Sequence, residues 1–461
     1  MKTNRYISVT KGFTIRGSVT EQNLIDLRTG RKYIITADQF DFLTTCDGSR
    51  TLGDILSDYD NPSQHIVLDF LANLSAIGAI EFGTSNQKRF LPTVLLPDIR
   101  LLGVHLEATS LCNMRCVHCY QGNSYTGTDD LNIGEIDDLA NQMQEMQVEN
   151  VSLSGGEPLM NKLTFEIARI MEEKDIRISS IFTNGWLIDS QVIQKILAWQ
   201  SRATAFVSLD AVDAEGMRFR GFDKSKGQEV LMAIISNISE LMKAGIPTIV
   251  NTVMTSCNIH HLEEMYETMK ELGVQSWRIG FPKKAGFFKQ NSLDYAVPWD
   301  TMSSACLRLI KKHLLLDQPF DLQIEFLFRK ALFDDFKLAS ENDFVCDYEE
   351  RRESCCIKSN GDVTSCAYCN DMAIGNIRQQ ALSQIWYSRE MQSTKTVRVR
   401  DVKECHGCVL SPLCATGCRA NAYFLNGDFR NSKDDQACKS VQFFSEEILP
   451  LLQEHGILTD N

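Results

Sequence analysis

Three cysteines spaced Cys112-x3-Cys116-x2-Cys119, and a tail that holds ten of the chain's 16 cysteines beyond Val345, are the residues best suited to chemistry. Four thiolates saturate a 4Fe–4S cluster, whereas three leave one iron open to a substrate or cofactor. The isolated trio therefore reads as one reactive cluster, and the tail as the holder of closed ones. A structural zinc site is the plain alternative, but zinc wants a fourth ligand and closed tetrahedral geometry. His118 is near in sequence, yet a neighbour of Cys119 would usually point elsewhere.

The elements around the trio read as alternating strand and helix. Candidate strands are Leu101–Ala108, Asn150–Leu153, Ser179–Thr183, Ala205–Leu209, Thr248–Met254 and Ser276–Phe281, with helices between them such as 136–146, 189–199, 229–243 and 262–272. Six strands with helical crossovers predict an α/β fold, a partial (β/α)6 TIM-like barrel whose chemistry sits at the C-terminal ends of its strands. The trio follows the first of these strands, on the expected face. Residues 1–92 form a separate unit with short strands at Tyr6–Val9, Phe13–Arg16 and Asn23–Leu27, then small helices, which suggests a winged-helix-like domain. Pro92 and Pro97 mark a linker. The barrel spans 100–315, and a loop-rich iron–sulfur domain spans 340–461, stapled by metal rather than by a core.

Composition narrows the function. A 461-residue chain with a net charge of −13 lacks the field that nucleic acid or an anionic membrane would require. Its start has no apolar signal core, and no apolar run reaches membrane-spanning length. The expectation is a cytoplasmic protein, where cysteine pairs more often hold metal than form disulfides.

Further motifs follow in strand order: Ser154-Gly155-Gly156-Glu157-Pro158 after the second strand, Thr183-Asn184-Gly185 after the third, and Ser208-Leu209-Asp210 after the fourth. Glycines let a ligand approach the backbone, and Glu157 can pair with an ammonium group. With the trio, this set resembles the radical S-adenosylmethionine (SAM) superfamily, whose Cys-x3-Cys-x-aromatic-Cys pattern is matched except that His118 stands at the aromatic position. The resemblance implies that Cys112, Cys116 and Cys119 bind the radical-generating cluster. It implies that Gly155, Gly156 and Glu157 meet the methionine amine, and that Tyr120 flanks the adenine. Asn184 and Ser208 would lie along the ribose and carboxylate, Arg220 would partner the carboxylate, and Ile279 with Gly280 would pack near the adenine. In such enzymes the cofactor supplies a 5′-deoxyadenosyl radical, and the protein orients the substrate and excludes water.

The tail carries Cys405-x2-Cys408-x5-Cys414-x3-Cys418, preceded by Cys346-x14-Gly361-x4-Cys366 and followed by Cys438. It resembles the SPASM domain, which holds two auxiliary 4Fe–4S clusters; a zinc-knuckle reading is the alternative. The resemblance gives Cys346, Cys366 and Cys418 to the first auxiliary cluster and Cys405, Cys408, Cys414 and Cys438 to the second, so three 4Fe–4S clusters in all. Some relatives supply a fourth ligand six residues after the first cysteine, where this chain has Arg352. Cys355 or Cys356 could complete that cluster, Cys369 is a rival, and the cluster could also stay open to a substrate thiolate. Cys46, Cys257 and Cys306 read as packing, as do Met143 and Met146. His260-His261 reads as a helix start, and Asp334-Asp335 as a solvated face.

The N-terminal unit resembles the PqqD-like RiPP recognition element, which binds leader peptides of ribosomally made, post-translationally modified peptides by strand addition. Together the resemblances imply a peptide maturase that takes a precursor peptide with a leader and an electron donor (flavodoxin or ferredoxin). The expected product is an intrapeptide thioether or carbon–carbon cross-link. Peptide epimerisation is the alternative, with an unassigned thiol returning hydrogen. Sulfatase-maturase-like oxidation is disfavoured, because Ala367 stands where those relatives place an Asp.

Overall fold

The computed structural model describes residues 3–122, 126–328, 338–346 and 352–458; Asp334 and Asp335 lie outside them. The N-terminal unit contains β1 (Tyr6–Val9), β2 (Phe13–Gly17), β3 (Gln22–Asp26), β4 (Lys32–Ile35), β5 (Asp47–Thr51) and β6 (Ile80–Gly83). Strands β2, β3 and β4 form an antiparallel meander, while β1 is flanked by β5 and β6. The helices Ala37–Thr44, Leu52–Leu56 and Asn61–Ala76 lie between β4 and β6. Sequence periodicity reveals β1 to β3 but not the three later strands, which are short and stabilised by their pairing.

The central sheet begins with β7 (Gly103–Glu107), β8 (Asn150–Ser154), β9 (Arg177–Thr183), β10 (Thr204–Ser208), β11 (Thr248–Val253) and β12 (Ser276–Gly280). These are the six expected strands, parallel and neighbours in chain order. The sheet is larger than six strands, however. β13 (Asp321–Ile324) extends it beyond β12, and the tail adds β14 (Ser354–Ile357), β15 (Asp362–Thr364) and β16 (Gly375–Asn376) beside β7. β14 runs parallel to β7, with Cys355 opposite Val104 and Cys356 opposite His105. The tail is thus built onto the first barrel strand, and short helices such as Arg419–Asn426 and Asp435–Phe443 complete it.

Local sequence explains the crossover helices. In Ile133–Glu145, Asn132 caps the start through a capping box with Glu135, and Ile136, Leu139, Ala140 and Met143 are buried at i, i+3, i+4 and i+7. A cap of this kind is worth about 1 kcal/mol. The strands alternate between two faces. Val104, Leu106, Val151, Leu153, Ile181, Val207, Val250 and Trp277 join the main core under the helices. His105, Phe182 and Phe206 take the inner face, where the two phenylalanine rings stack at 4.5 Å and Arg278 lies 5.6 Å from the Phe206 ring centre.

The N-terminal unit docks at the opposite end of the barrel from the trio. Arg16 donates to the Asp175 carbonyl at 3.0 Å, Gly17 N to Gln147 at 2.9 Å, and Lys32 pairs with Glu149 at 2.8 Å. These partners precede β8 and β9, at the strands' N-terminal ends. Among the described residues no helix is long and apolar enough to cross a membrane.

Candidate functional site

The trio sits in the loop leaving β7, and backbone hydrogen bonds hold that loop from three sides. Gly156 N donates to Thr109 O at 2.8 Å and Glu157 N to Leu111 O at 2.7 Å; Arg115 N and Val117 N donate to Arg220 O and Phe219 O, both at 3.0 Å; Phe287 N donates to Cys119 O at 2.8 Å. A Cβ at Gly155 or Gly156 would run into the Thr109 or Leu111 carbonyl. The glycines expected to admit a ligand therefore admit the cysteine loop itself, and Gly155, at φ +143°, takes a backbone conformation that side chains rarely allow. Burial pushes the Cys116 thiol up to about 12 and raises Cys112 as well, so both stay protonated until a metal displaces the proton.

Glu157 is fully buried. Its carboxylate accepts from Thr183 Oγ1 at 2.8 Å, Asn184 N at 2.7 Å and Leu159 N at 3.1 Å. Burial raises its pKa to about 7 against those hydrogen bonds. Asn184 Nδ2 donates to Asn113 Oδ1 at 2.7 Å, which ties the strand-three motif to the trio loop. Asn113 Nδ2 is buried with no partner among the described residues, an unspent donor inside the trio. A cofactor carrying carboxylate and ribose oxygens would use such a donor.

Arg220 is already paired within the chain. Its Nε and Nη2 lie 3.1 and 2.6 Å from Asp210 Oδ2, and Nη1 faces Met114 Sδ at 3.5 Å. The guanidinium is thus committed to a buried carboxylate of its own chain. The same Asp210 oxygen lies 3.3 Å from His118 Nε2, and the His118 ring stacks on Phe219 at 4.2 Å and 5°. His118 fills the aromatic position as a flat ring, and burial lowers its pKa to about 4, so it is neutral. Ile279 shares a face with Trp277 in the main core, and Gly280 is the residue of that pair on the inner face. Ser208 ends β10, paired in register with Asn251 on β11. Asn113, Asp210 and Phe219 went unassigned in sequence, although Asp210 lies inside the Ser208-Leu209-Asp210 motif.

The mouth between barrel and tail is lined by ionisable groups. Glu107, at the end of β7, is buried, accepts from Gln121 Nε2 at 3.0 Å, and is raised to about 7 by burial. Lys283, buried after β12, pairs with Glu325 at 2.5 Å. Tyr120 meets Tyr368 edge-on at 4.9 Å, and Asn370 Nδ2 donates to Tyr120 O at 2.6 Å. A cleft of about 260 Å³ opens there, lined by Gln121, Gly286, Lys289, Lys358, Asn370 and Phe424 among others.

The tail thiols fall into two sets. Cys346, Cys366 and Cys418 lie within electrostatic reach of one another, and so do Cys405, Cys408, Cys414 and Cys438. Cys355 does not join the first set. It packs into the main core on the Val104 face, while Cys356, on the opposite face, lies near Glu107. Cys46 and Cys306 are buried in cores as expected, Cys257 is half-buried, and His261 bonds Glu264 at its helix start. Among the described residues no three His, Cys, Asp or Glu side chains converge tightly enough for a single metal ion. Sets made of thiols alone are the donor chemistry of iron–sulfur clusters.

Residues 106–272 match the radical SAM superfamily model, and residues 346–409 match the SPASM iron–sulfur cluster-binding domain. The AdoMet-dependent heme synthase of Methanosarcina barkeri is 27% identical over 342 residues, 70% of this chain and 92% of that protein. The crystal structure of Streptococcus suis SuiB bound to precursor peptide SuiA superposes with a TM-score of 0.65 at 15% identity, covering 94% of this chain and 99% of that one. Native anSMEcpe with bound AdoMet and Kp18Cys peptide gives 0.59 at 16% identity, covering 76% and 98%. The chain is a radical SAM superfamily enzyme with a SPASM region, and these domains imply a SAM-binding 4Fe–4S cluster and auxiliary iron–sulfur clusters.

Proposed function

We propose that this enzyme is a peptide maturase that abstracts hydrogen from a ribosomally made precursor peptide and installs an intrapeptide cross-link, a thioether or a carbon–carbon bond. The observation that carries the reading is the junction of Tyr120 with Tyr368 and Asn370, which sets the trio loop beside the first tail thiol set. A peptide in the mouth lies between two redox sites, as needed when one hydrogen atom and then one further electron must leave. When bound, SAM and the clusters supply the 5′-deoxyadenosyl radical and the electron acceptor.

In this reading Cys112, Cys116 and Cys119 hold the radical-generating cluster, and Glu157, Asn184, Ser208 and Tyr120 orient SAM. Cys346, Cys366 and Cys418 serve the first auxiliary cluster. Cys405, Cys408, Cys414 and Cys438 serve the second, three clusters in all. A flavodoxin or ferredoxin in the cytoplasm would supply the electron. The N-terminal unit takes the leader: β4 is an edge strand of its meander and Ile34 on it is 84% exposed. The likeness to SuiB, solved with a precursor peptide, extends over this unit and supports the assignment. Ile34→Asp should weaken leader binding about tenfold, read by fluorescence anisotropy, with peptide-independent SAM cleavage unchanged.

The direct test is anaerobic reaction with SAM, a strong reductant and a candidate precursor peptide that carries a leader. A two-hydrogen mass loss in the peptide supports cross-linking, and no 5′-deoxyadenosine at all would sink the radical reading. Cys356, a buried thiol on the inner face beside Glu107, favours epimerisation as a second reading. An unchanged mass with deuterium uptake from solvent would select it. Heme formation would instead place the enzyme with its archaeal relative.

A further inference from the structure

We propose that Cys369 is the fourth thiolate of the first auxiliary cluster, so that this cluster is closed and offers no iron to a substrate thiolate. The inference rests on the auxiliary-cluster reading of the tail and is independent of whether the product is cross-linked.

The first argument is backbone geometry. In Cys116-x2-Cys119 and Cys405-x2-Cys408, the second cysteine's N–H donates to the first's carbonyl, at 3.1 and 3.2 Å; Cys369 N donates to Cys366 O at 3.0 Å. All three segments make the same turn, and two of them belong to the thiol sets already described. That turn brings two thiols three residues apart to one side. The second argument is position. Cys369 is fully buried with Cys366 and Cys418 packed around it. Its side chain is hydrogen-bonded to Cys366, with Cys418 and Cys346 in electrostatic reach. Cys355 and Cys356 belong instead to β14, whose strand alternation turns Cys355 into the main core, while Cys356 on the other face feels Glu107 more than Cys366 and makes no such turn with it.

The third argument is charge. Lys395 is buried and donates to the carbonyls of Ser354 and Ser365, both at 2.6 Å. Arg419, fully buried, donates to the carbonyls of Thr416 and Ser432, and its Nε has no partner among the described residues. Both cations lie in the field of Cys346. Buried cations favour thiolate charge beside them, so the pair supports a fourth thiolate on this cluster.

The test uses the full chain with Cys112, Cys116 and Cys119 all changed to alanine, so that only auxiliary clusters remain. After anaerobic reconstitution and reduction, its electron paramagnetic resonance spectrum should not respond to added cyanide or a small thiol. Mild oxidation should produce no 3Fe–4S signal. Adding Cys369→Ala should create both responses, with loss of about one of roughly eight irons, while Cys355→Ala should create neither. A cyanide-responsive cluster already present in the parent would overturn the proposal even if the Cys369 variant failed to fold. Cys369→Ala behaving as its parent would also overturn it. A parent with no iron would instead end the auxiliary-cluster reading itself.

Discussion

The trio and the first tail thiol set stand on either side of the Tyr120–Tyr368 contact, yet their electrostatic surroundings are opposite. Beside the trio, Arg220 is answered by Asp210, His118 is neutral, and Glu157 adds a further carboxyl. Beside Cys346, Lys395 and Arg419 are held by carbonyls, while Lys283, in the field of Cys418, is answered by Glu325. Cations stabilise an added electron and carboxylates oppose it, so a cluster in the second place is the easier to reduce. The neutral and acidic surroundings suit a strong reductant, the cationic ones an electron acceptor. One barrel mouth can thus separate the two roles by side-chain charge alone.

Removing ligands tests this division most severely. Cys116→Ala should abolish 5′-deoxyadenosine formation entirely. Cys366→Ala should keep slow SAM cleavage while losing the peptide product, measured together by chromatography and mass spectrometry. Loss of SAM cleavage in both would mean that the two sites do not divide the work.

The next largest effect should come from Asp210→Ala, which strands Arg220 in a dry site. Breaking a buried pair from one side costs about 3–5 kcal/mol, visible as a lower denaturation midpoint. Lys395→Met should instead leave the fold nearly intact and lower the potential of the first auxiliary cluster. One charge roughly 7 Å away at an effective dielectric of about 20 is worth on the order of 100 mV. A redox titration showing no shift would remove the electrostatic basis for the comparison.

Much of this arrangement was legible in the sequence, and what escaped it did so for physical reasons. The six barrel strands and the trio's place after β7 follow from local periodicity and loop position, which a single segment carries. β14 does not, because its place beside β7 depends on pairing with residues some 250 positions away. Arg220 shows the same limit: its pairing with Asp210, ten residues earlier, is visible only in the fold. The face of Ile279, by contrast, follows from the period-two rule applied to Trp277. Lys395 and Arg419 carry no motif at all; only folding brings them to the thiols.

The smallest effect probes the space between the two sites. Glu107 is in the field of both Tyr120 and Cys356, and burial raises its pKa from 4.5 to about 7. The folded chain therefore holds a proton there that the unfolded chain has already released between those values. Stability gained from the neutral carboxyl is present below the unfolded value and is lost as pH rises through the folded one. For the metal-free chain, Glu107 should lower stability by up to about 2 kcal/mol between pH 5.5 and 7.5, read as the difference in urea midpoints between the parent and Glu107→Gln, because the buried neutral His118 acts in the opposite direction. The buried Glu157 contributes in the same direction as Glu107, so Glu107→Gln combined with Glu157→Gln should enlarge that difference. If Glu107→Gln leaves the slope of stability against pH unchanged, Glu107 is ionised in the fold. The gap between the reducing and accepting sites would then hold a negative charge, and an electron crossing from the mouth to the cationic set would have to pass it.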